Sequence, residues 1–206
     1  MVSVKSSAAA VHRSVKVAGV LSAVATLMAC TTVQTAAPSV LKPATGANLA
    51  ACTALASTLK FDNTRIDSVA DVAAGALKLG ERSVAAHCLV KGRMAERKGV
   101  DGRDYAIGFE MRLPLAWNGR FYYQGNGGLD GAVVPAQGSL GGGPLTGALL
   151  QGFAVISSDA GHTGAQTTVF GVEPQARLDY GYQAVEKLTP MAKQLITQAY
   201  GKAPER

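Results

Sequence analysis

The sequence predicts an α/β fold: a sheet that opens with an antiparallel hairpin and then turns parallel, with helices packed against it. Three observations carry that prediction. Tyr105, Ile107, Phe109, Met111 and Leu113 alternate with Ala106, Gly108, Glu110 and Arg112, the period of two of a strand with one buried face. Phe153-Ala154-Val155-Ile156-Ser157 is a short apolar run of the kind buried on both faces of a sheet. From Ala176 to Tyr200, the residues Leu178, Tyr182, Val185, Leu188, Ala192, Leu195 and Ala199 recur near helical spacing.

The first elements are targeting signals rather than fold. Lys5, Arg13 and Lys16 precede the apolar run Val17 to Ala29, which is too short to span a bilayer core of about 30 Å but suits a signal peptide. It ends in Leu27-Met28-Ala29-Cys30, which resembles a bacterial lipoprotein box. Residues 1–29 then read as a lipoprotein signal peptide, Cys30 as the lipidated first residue, and 30–48 as a Thr, Ala, Pro and Ser-rich tether. Membrane attachment through Cys30 follows, at the outer membrane of a Gram-negative cell because Thr31 comes next. The alternative is ordinary cleavage after Ala36 or Ala37, which gives a periplasmic or secreted protein. Cleavage before Cys30 removes three basic residues and no acidic ones, so the formal charge falls from +6 to +3. No basic stripe with interleaved aromatics occurs, and a nucleic-acid partner is not expected.

Export also changes what the cysteines mean. With Cys30 assigned to lipid, Cys52 and Cys88 form an even pair in an oxidising compartment. A disulfide is the expected state, and two buried free thiols are the alternative. With three Cys and three His in the whole chain, a metal site is not expected.

Within the fold, Leu49 to Leu59 has helical composition, and Ser83 to Glu96 reads as the first strand of the hairpin. Arg97-Lys98-Gly99-Val100-Asp101-Gly102-Arg103 supplies turn residues, and Pro114 closes the second strand. Asn118-Gly119 resets the chain before a third strand, Arg120 to Gln124. Pro144 is placed to start a short helix that ends near Gln151. Thr189-Pro190 is placed to kink the long helix, and Gly201 to terminate it.

After the third strand comes Gln124-Gly125-Asn126-Gly127-Gly128-Leu129-Asp130-Gly131. Glycines clustered after a strand mark backbone that turns sharply or approaches a ligand closely. A dinucleotide fingerprint would need a third glycine where Asp130 stands and a helix opening there. A phosphate loop would need Gly-Lys-Ser or Gly-Lys-Thr, which the chain lacks. Two readings remain: a tight surface turn, or a loop aiming a backbone N–H at an ester oxyanion.

Several joined motifs tip that balance. Trp117-Asn118-Gly119-Arg120-Phe121 with the glycine cluster, Gly138-Ser139-Leu140-Gly141-Gly142-Gly143, Ser158-Asp159-Ala160-Gly161-His162 and Pro174-Gln175-Ala176-Arg177-Leu178-Asp179-Tyr180-Gly181-Tyr182 together resemble the tannase and feruloyl esterase family. The resemblance runs from about Ala50 to Gly201, and Cys52 and Cys88 fit it. It implies an α/β-hydrolase fold, of which residues 49–206 form the incomplete N-terminal part, and hydrolysis of aryl esters (gallate, ferulate or terephthalate) by a Ser-His-Asp triad. Gly128 matches the family's oxyanion-hole donor through its backbone N–H. The family's nucleophile elbow follows the segment matching Ala199 to Pro204, and its acid, base, lid and lid calcium site come later still. The chain as given is therefore expected to hold no cofactor and to lack the triad. A non-catalytic exported lipoprotein that keeps part of the fold for binding is the alternative.

Three further groups invite assignment. Ser157 or Ser158, Asp159 and His162 are close enough in sequence to suggest a triad, but hydrolase order runs Ser, acid, His, and a loop-stabilising hydrogen bond is the expected role of His162. His87 reads as a structural or exposed histidine. Arg177 and Asp179 are expected to form a local ion pair at a helix start.

Overall fold

A computed structural model describes residues 43–49, 51–139 and 147–205. The signal peptide, Cys30 and the expected helix start at Pro144 lie outside the described residues. The strands are β1 (Ala47–Asn48), β2 (Thr64–Val72), β3 (Lys78–Leu79), β4 (Arg82–Ser83), β5 (His87–Lys98), β6 (Asp104–Pro114), β7 (Ala116–Trp117), β8 (Phe121–Gln124) and β9 (Ala154–Ser158). The α-helices are α1 (Leu55–Thr58), α2 (Pro174–Leu178) and α3 (Ala184–Tyr200). The main sheet has the order β2-β5-β6-β9-β8. Its first three pairings are antiparallel, and β8 runs parallel to β9. The sheet turns parallel where the sequence leads one to expect it, and the architecture is mixed α/β.

The hairpin forms for the reasons its sequence supplies. Tyr105, Ile107, Phe109, Met111 and Leu113 are all buried, and four of them pack against α3 in the main core with Val90, Ile156, Leu188, Met191 and Leu195. The Asp101 carboxylate organises the turn, accepting from the Arg103 N–H at 3.0 Å and the Tyr105 hydroxyl at 2.9 Å. Gly102 there takes φ +76, a left-handed conformation that glycine adopts without strain. Ser83 belongs to the small β3–β4 pair, and the long strand starts at His87 instead.

Two elements depart from expectation. The Leu49–Leu59 helix shrinks to α1. The chain before it is extended, Ala47 pairing with Trp117 and the Leu49 N–H donating to the Leu115 carbonyl at 2.9 Å, and Cys52 is bonded to Cys88 with their Cα atoms 5.4 Å apart. Strand β2 was not expected. A register shift between Ile66 and Ser68 interrupts its alternation, so Ile66 and Val69, three apart, both pack on the main core and conceal the period of two.

The long helical segment is also divided. Glu173 caps α2 by accepting from the Ala176 N–H, and Pro174 opens the helix. Asp179–Gln183 is then a π-helical turn before α3 begins. The wider turn shifts the phase, so Leu178, Tyr182 and Val185 are exposed, while Leu188, Met191, Ala192, Leu195 and Ile196 carry the buried face. Pro190 lies inside α3, where it removes one backbone donor. Gly201 ends the helix at φ +67, as expected.

Candidate active site

Strand β8 ends at Gln124, and the glycine loop begins at its C-terminal end. Gly128, Asp130 and Gly131 take φ values of +68, +55 and +86, so the loop is built from left-handed residues. Gly131 is pressed into place: a Cβ there would lie 2.9 Å from Thr167 Oγ1 and 3.2 Å from Gly164. Its N–H donates to the Asp159 carbonyl at 3.2 Å. Gly128 differs, because a Cβ on it would meet no atom within 4 Å. Its glycine answers to backbone conformation and to the open space beside it. The Gly128 carbonyl accepts from the Tyr180 hydroxyl at 3.2 Å, and its N–H donates to no partner among the described residues.

Two carboxamides tie the start of this loop to its surroundings. Gln124 Oε1 accepts from the N–H groups of Gln137 and Gly138 at 3.1 and 2.8 Å, and its Nε2 donates to the Pro135 carbonyl at 3.2 Å. Asn126 Nδ2 donates to the Ser158 carbonyl at 2.6 Å. Between Gln124–Gly127 and Val134–Ser139 lies a cleft of about 500 Å³. No motif marks Gln124 or Asn126 in the sequence; the amide-bearing residues on either side of Gly125 are the one available signal.

The Ser-Asp-His neighbourhood does not assemble a triad. Ser158 Oγ shares a hydrogen bond of 2.9 Å with the Tyr123 hydroxyl, whose pKa burial pushes up to about 12 against the pull of that bond. Ser157 Oγ accepts from Asn126 at 3.2 Å. Asp159 Oδ1 accepts from the N–H groups of Gly108 and Gly161 at 3.0 and 2.9 Å, yet burial outweighs both and raises its pKa to about 6. His162 lies flat on Phe170, ring centroids 3.9 Å apart, with Tyr180 edge-on at 5.8 Å. Burial lowers its pKa, opposed by the Leu129 carbonyl and Asp130, but neither ring nitrogen completes a hydrogen bond of good geometry. The expected loop-stabilising bond is therefore made by Asp159, and His162 contributes a packing surface.

His87 is buried and structural. Arg112 can only donate, so the 2.8 Å contact makes His87 Nε2 the acceptor and leaves Nδ1 to donate to the Ala85 carbonyl at 2.8 Å. Burial, more than the neighbouring Arg112 charge, holds its pKa low. The expected Arg177–Asp179 pair is not formed. Arg177 turns back to the Gly171 carbonyl at 2.6 Å, while the fully buried Asp179 is 2.7 Å from Lys187 Nζ and 3.0 Å from the Arg97 guanidinium. Two cations, from β5 and α3, balance the charge of that buried carboxylate, while its Oδ2 completes no hydrogen bond among the described residues.

A groove of about 660 Å³ lies over Gly92 and Gly108. Arg65, Arg93, Asp67 and Glu96 on its wall pair with one another at 2.9 to 3.9 Å. That makes it a charge-compensated face. Among the described residues the possible metal ligands that cluster are Cys52, Asp71 and Cys88. The two sulfurs are bonded to each other, and one remaining carboxylate does not fit calcium, which takes six to eight oxygens.

Residues 88–206 match the family described as tannase and feruloyl esterase. The mono(2-hydroxyethyl) terephthalate hydrolase of Piscinibacter sakaiensis is 41% identical over 128 residues, covering 58% of this chain and 21% of that protein. Feruloyl esterase B of Aspergillus niger is 28% identical over 156 residues, or 72% of this chain and 28% of that protein. The crystal structure of an esterase from Aspergillus oryzae superposes with a TM-score of 0.60 at 25% identity, over 75% of this chain and 31% of that one. The chain thus spans between a fifth and a third of the length of these relatives.

Proposed function

This chain belongs to the tannase and feruloyl esterase family, and from that premise we propose that it supplies the oxyanion-binding part of a carboxylic ester hydrolase acting on aryl esters. The observation that carries the reading is the unpartnered N–H of Gly128, held in a left-handed turn at the end of a parallel strand beside open space. When a nucleophile attacks an ester carbonyl, the oxygen becomes an anion, and a preorganised donor at that point is worth roughly 10² to 10³ in rate. The adjoining cleft of about 500 Å³ has Val134 and Pro135 on one wall and the Gln124 and Asn126 amides on the other, which suits an aromatic acyl group with polar substituents.

The nucleophile belongs elsewhere in this reading. Neither Ser157 nor Ser158 is hydrogen-bonded to a histidine, so nothing among the described residues activates a hydroxyl. β8 pairs with β9 along one edge and with no other strand among the described residues; a serine-bearing strand seated there would bring its hydroxyl beside Gly128. In the same reading Cys30 carries a lipid that holds the protein to a membrane, and unchanged membrane fractionation of a Cys30→Ala variant would count against that.

The test is chemical. Given a fluorophosphonate probe and a gallate or terephthalate monoester, the 206-residue chain should show no labelled serine and no turnover above background. A chain extended to carry the serine nucleophile should turn over, and Gly128→Pro, which removes the N–H, should lower its rate by about 10² or more. Stoichiometric labelling of Ser157 or Ser158, or full activity of Gly128→Pro, would reject the reading.

A further inference from the structure

Resting on the assignment of Gly128 as oxyanion donor, we infer that Tyr180, presented by the π-helical turn, is a positioning residue that fixes the direction of the Gly128 N–H. A glycine donor has a weakness. With no Cβ, and nothing within 4 Å of where one would be, packing does not limit rotation about its φ and ψ. Something else must hold the peptides on either side of it. Near Gly128 the loop's own bonds are few: the Asp130 N–H reaches the Gly127 carbonyl at a long 3.4 Å, and Gly131 is tied to Asp159 three residues on. The bond made by Gly128 itself is the one its carbonyl accepts from the Tyr180 hydroxyl at 3.2 Å, across 52 residues of sequence. That carbonyl belongs to the peptide after Gly128, so holding it restrains ψ of Gly128 and the position of its Cα, and leaves φ as the remaining torsion through which the N–H can turn.

The rest of the neighbourhood prepares Tyr180 for this contact. Asp179, fully buried, anchors the preceding residue through Lys187 at 2.7 Å, Gln175 at 3.0 Å and Arg97 at 3.0 Å. Gly161 lets the chain pass directly over it, since a Cβ there would lie 2.6 Å from the Asp179 Cβ. The π turn inserts an extra residue into the helical path at Asp179–Gln183, an irregularity that commonly marks functional sites. Phe170 at 5.2 Å and His162 at 5.8 Å hold the Tyr180 ring from its sides. His162 lies flat between Phe170 and the glycine loop, facing the Leu129 carbonyl without completing a well-aligned hydrogen bond.

Tyr180→Phe removes the hydroxyl and keeps the ring, so the fold should persist. In glycine-selective ¹⁵N NMR of the 206-residue chain, the Gly128 amide should shift, and its order parameter should fall, while Gly131 and the melting temperature stay nearly unchanged. Tyr182→Phe, on an exposed ring of the same turn, should leave Gly128 alone. In a gene product that shows turnover, Tyr180→Phe should lower kcat roughly three- to tenfold, the worth of one ordinary hydrogen bond, with KM within about twofold. An unmoved and equally ordered Gly128 amide overturns the inference whatever the turnover does. A loosened Gly128 together with full activity of Gly128→Pro upholds the hold of Tyr180 and removes the donor assignment on which its catalytic meaning rests.

Discussion

The antiparallel and parallel halves of the sheet are held together by different means. In β2, β5 and β6 the ladders are long, running from Val72↔His87 to Thr64↔Met94 and from His87↔Pro114 to Lys98↔Asp104. A disulfide ties the base of β5 to the segment before α1, and α3 covers the inner face. The parallel half has one four-residue pairing, Phe121↔Ala154 to Gln124↔Ser157, and then a loop of left-handed residues. That loop is held by the side chains of Gln124, Asn126 and Tyr180 reaching backbone, and by the Asp159 carbonyl, which accepts from the Gly131 N–H. Backbone ladders give one half its stability, and separate side-chain ties give the other a shaped surface that each tie can alter independently.

The largest way to test that division is to cut the staple. Replacing Cys52 and Cys88 by serine opens a loop with a sequence separation of 36, and on the chain-entropy account should cost about 3–4 kcal/mol. Chemical denaturation should register the loss while the Gly128 amide resonance stays in place. A displaced Gly128 would mean that the two halves are not independent.

Next in size is the buried carboxylate between them. Asp159 has its pKa raised from 3.8 to about 6, chiefly by burial. The folded protein therefore holds this proton more tightly than the unfolded chain, and stability falls as pH rises from about 4 to about 6. Above that window the full penalty, roughly 2–3 kcal/mol, is present. Asp159→Asn keeps an oxygen for the Gly108 and Gly161 N–H groups and removes the charge. The variant should exceed the parent in stability at pH 7.5, and the advantage should vanish near pH 4. Urea titrations at the two pH values measure it, and a pH-independent difference would refute the account.

The same division governs what the sequence reveals. β6 is legible because its five apolar residues are all buried, four of them against one helix face, and β9 because both of its faces are covered. β2 is not, since its bulge erases the alternation. The π turn is invisible because Leu178, Tyr182 and Val185 continue the helical spacing across it while the structure changes phase beneath them. Gly128 is legible through resemblance to a family motif; the residues that hold its loop are not. Tyr180 lies 52 residues away, and Gln124 and Asn126 act through amide contacts that no spacing rule announces. A glycine cluster declares that backbone conformation is special without saying what secures it.

Two alanine substitutions sharpen the picture of that loop. A left-handed alanine costs about 1–2 kcal/mol, and Gly128→Ala should cost that and no more, because nothing lies in the way of its Cβ. Gly131→Ala meets the same conformational penalty and also Thr167 Oγ1 at 2.9 Å and the Gly164 backbone at 3.2 Å. It should be the more destabilising by about 1 kcal/mol or more. Equal losses in thermal melts would mean that the loop yields around Gly131 and is less firmly seated than its contacts imply.

The smallest expected effect concerns Arg177, the residue whose place in the sequence most invites an ion pair with Asp179. Its guanidinium instead meets the Gly171 carbonyl at 2.6 Å in an exposed position, and solvent competes for such a bond. Arg177→Ala should therefore change stability by no more than about 0.5 kcal/mol. A double-mutant cycle makes the point sharper, because it removes whatever each change does alone. Cycled against Asp179→Asn, Arg177→Ala should give a coupling indistinguishable from zero. Arg97→Met in the same cycle should give a clear one, since Arg97 lies 3.0 Å from the fully buried Asp179 carboxylate. A substantial coupling for Arg177 would place the anchor of the π turn on the surface. Tyr180 would then be held by a contact that salt can screen, and the grip on Gly128 should weaken as ionic strength rises.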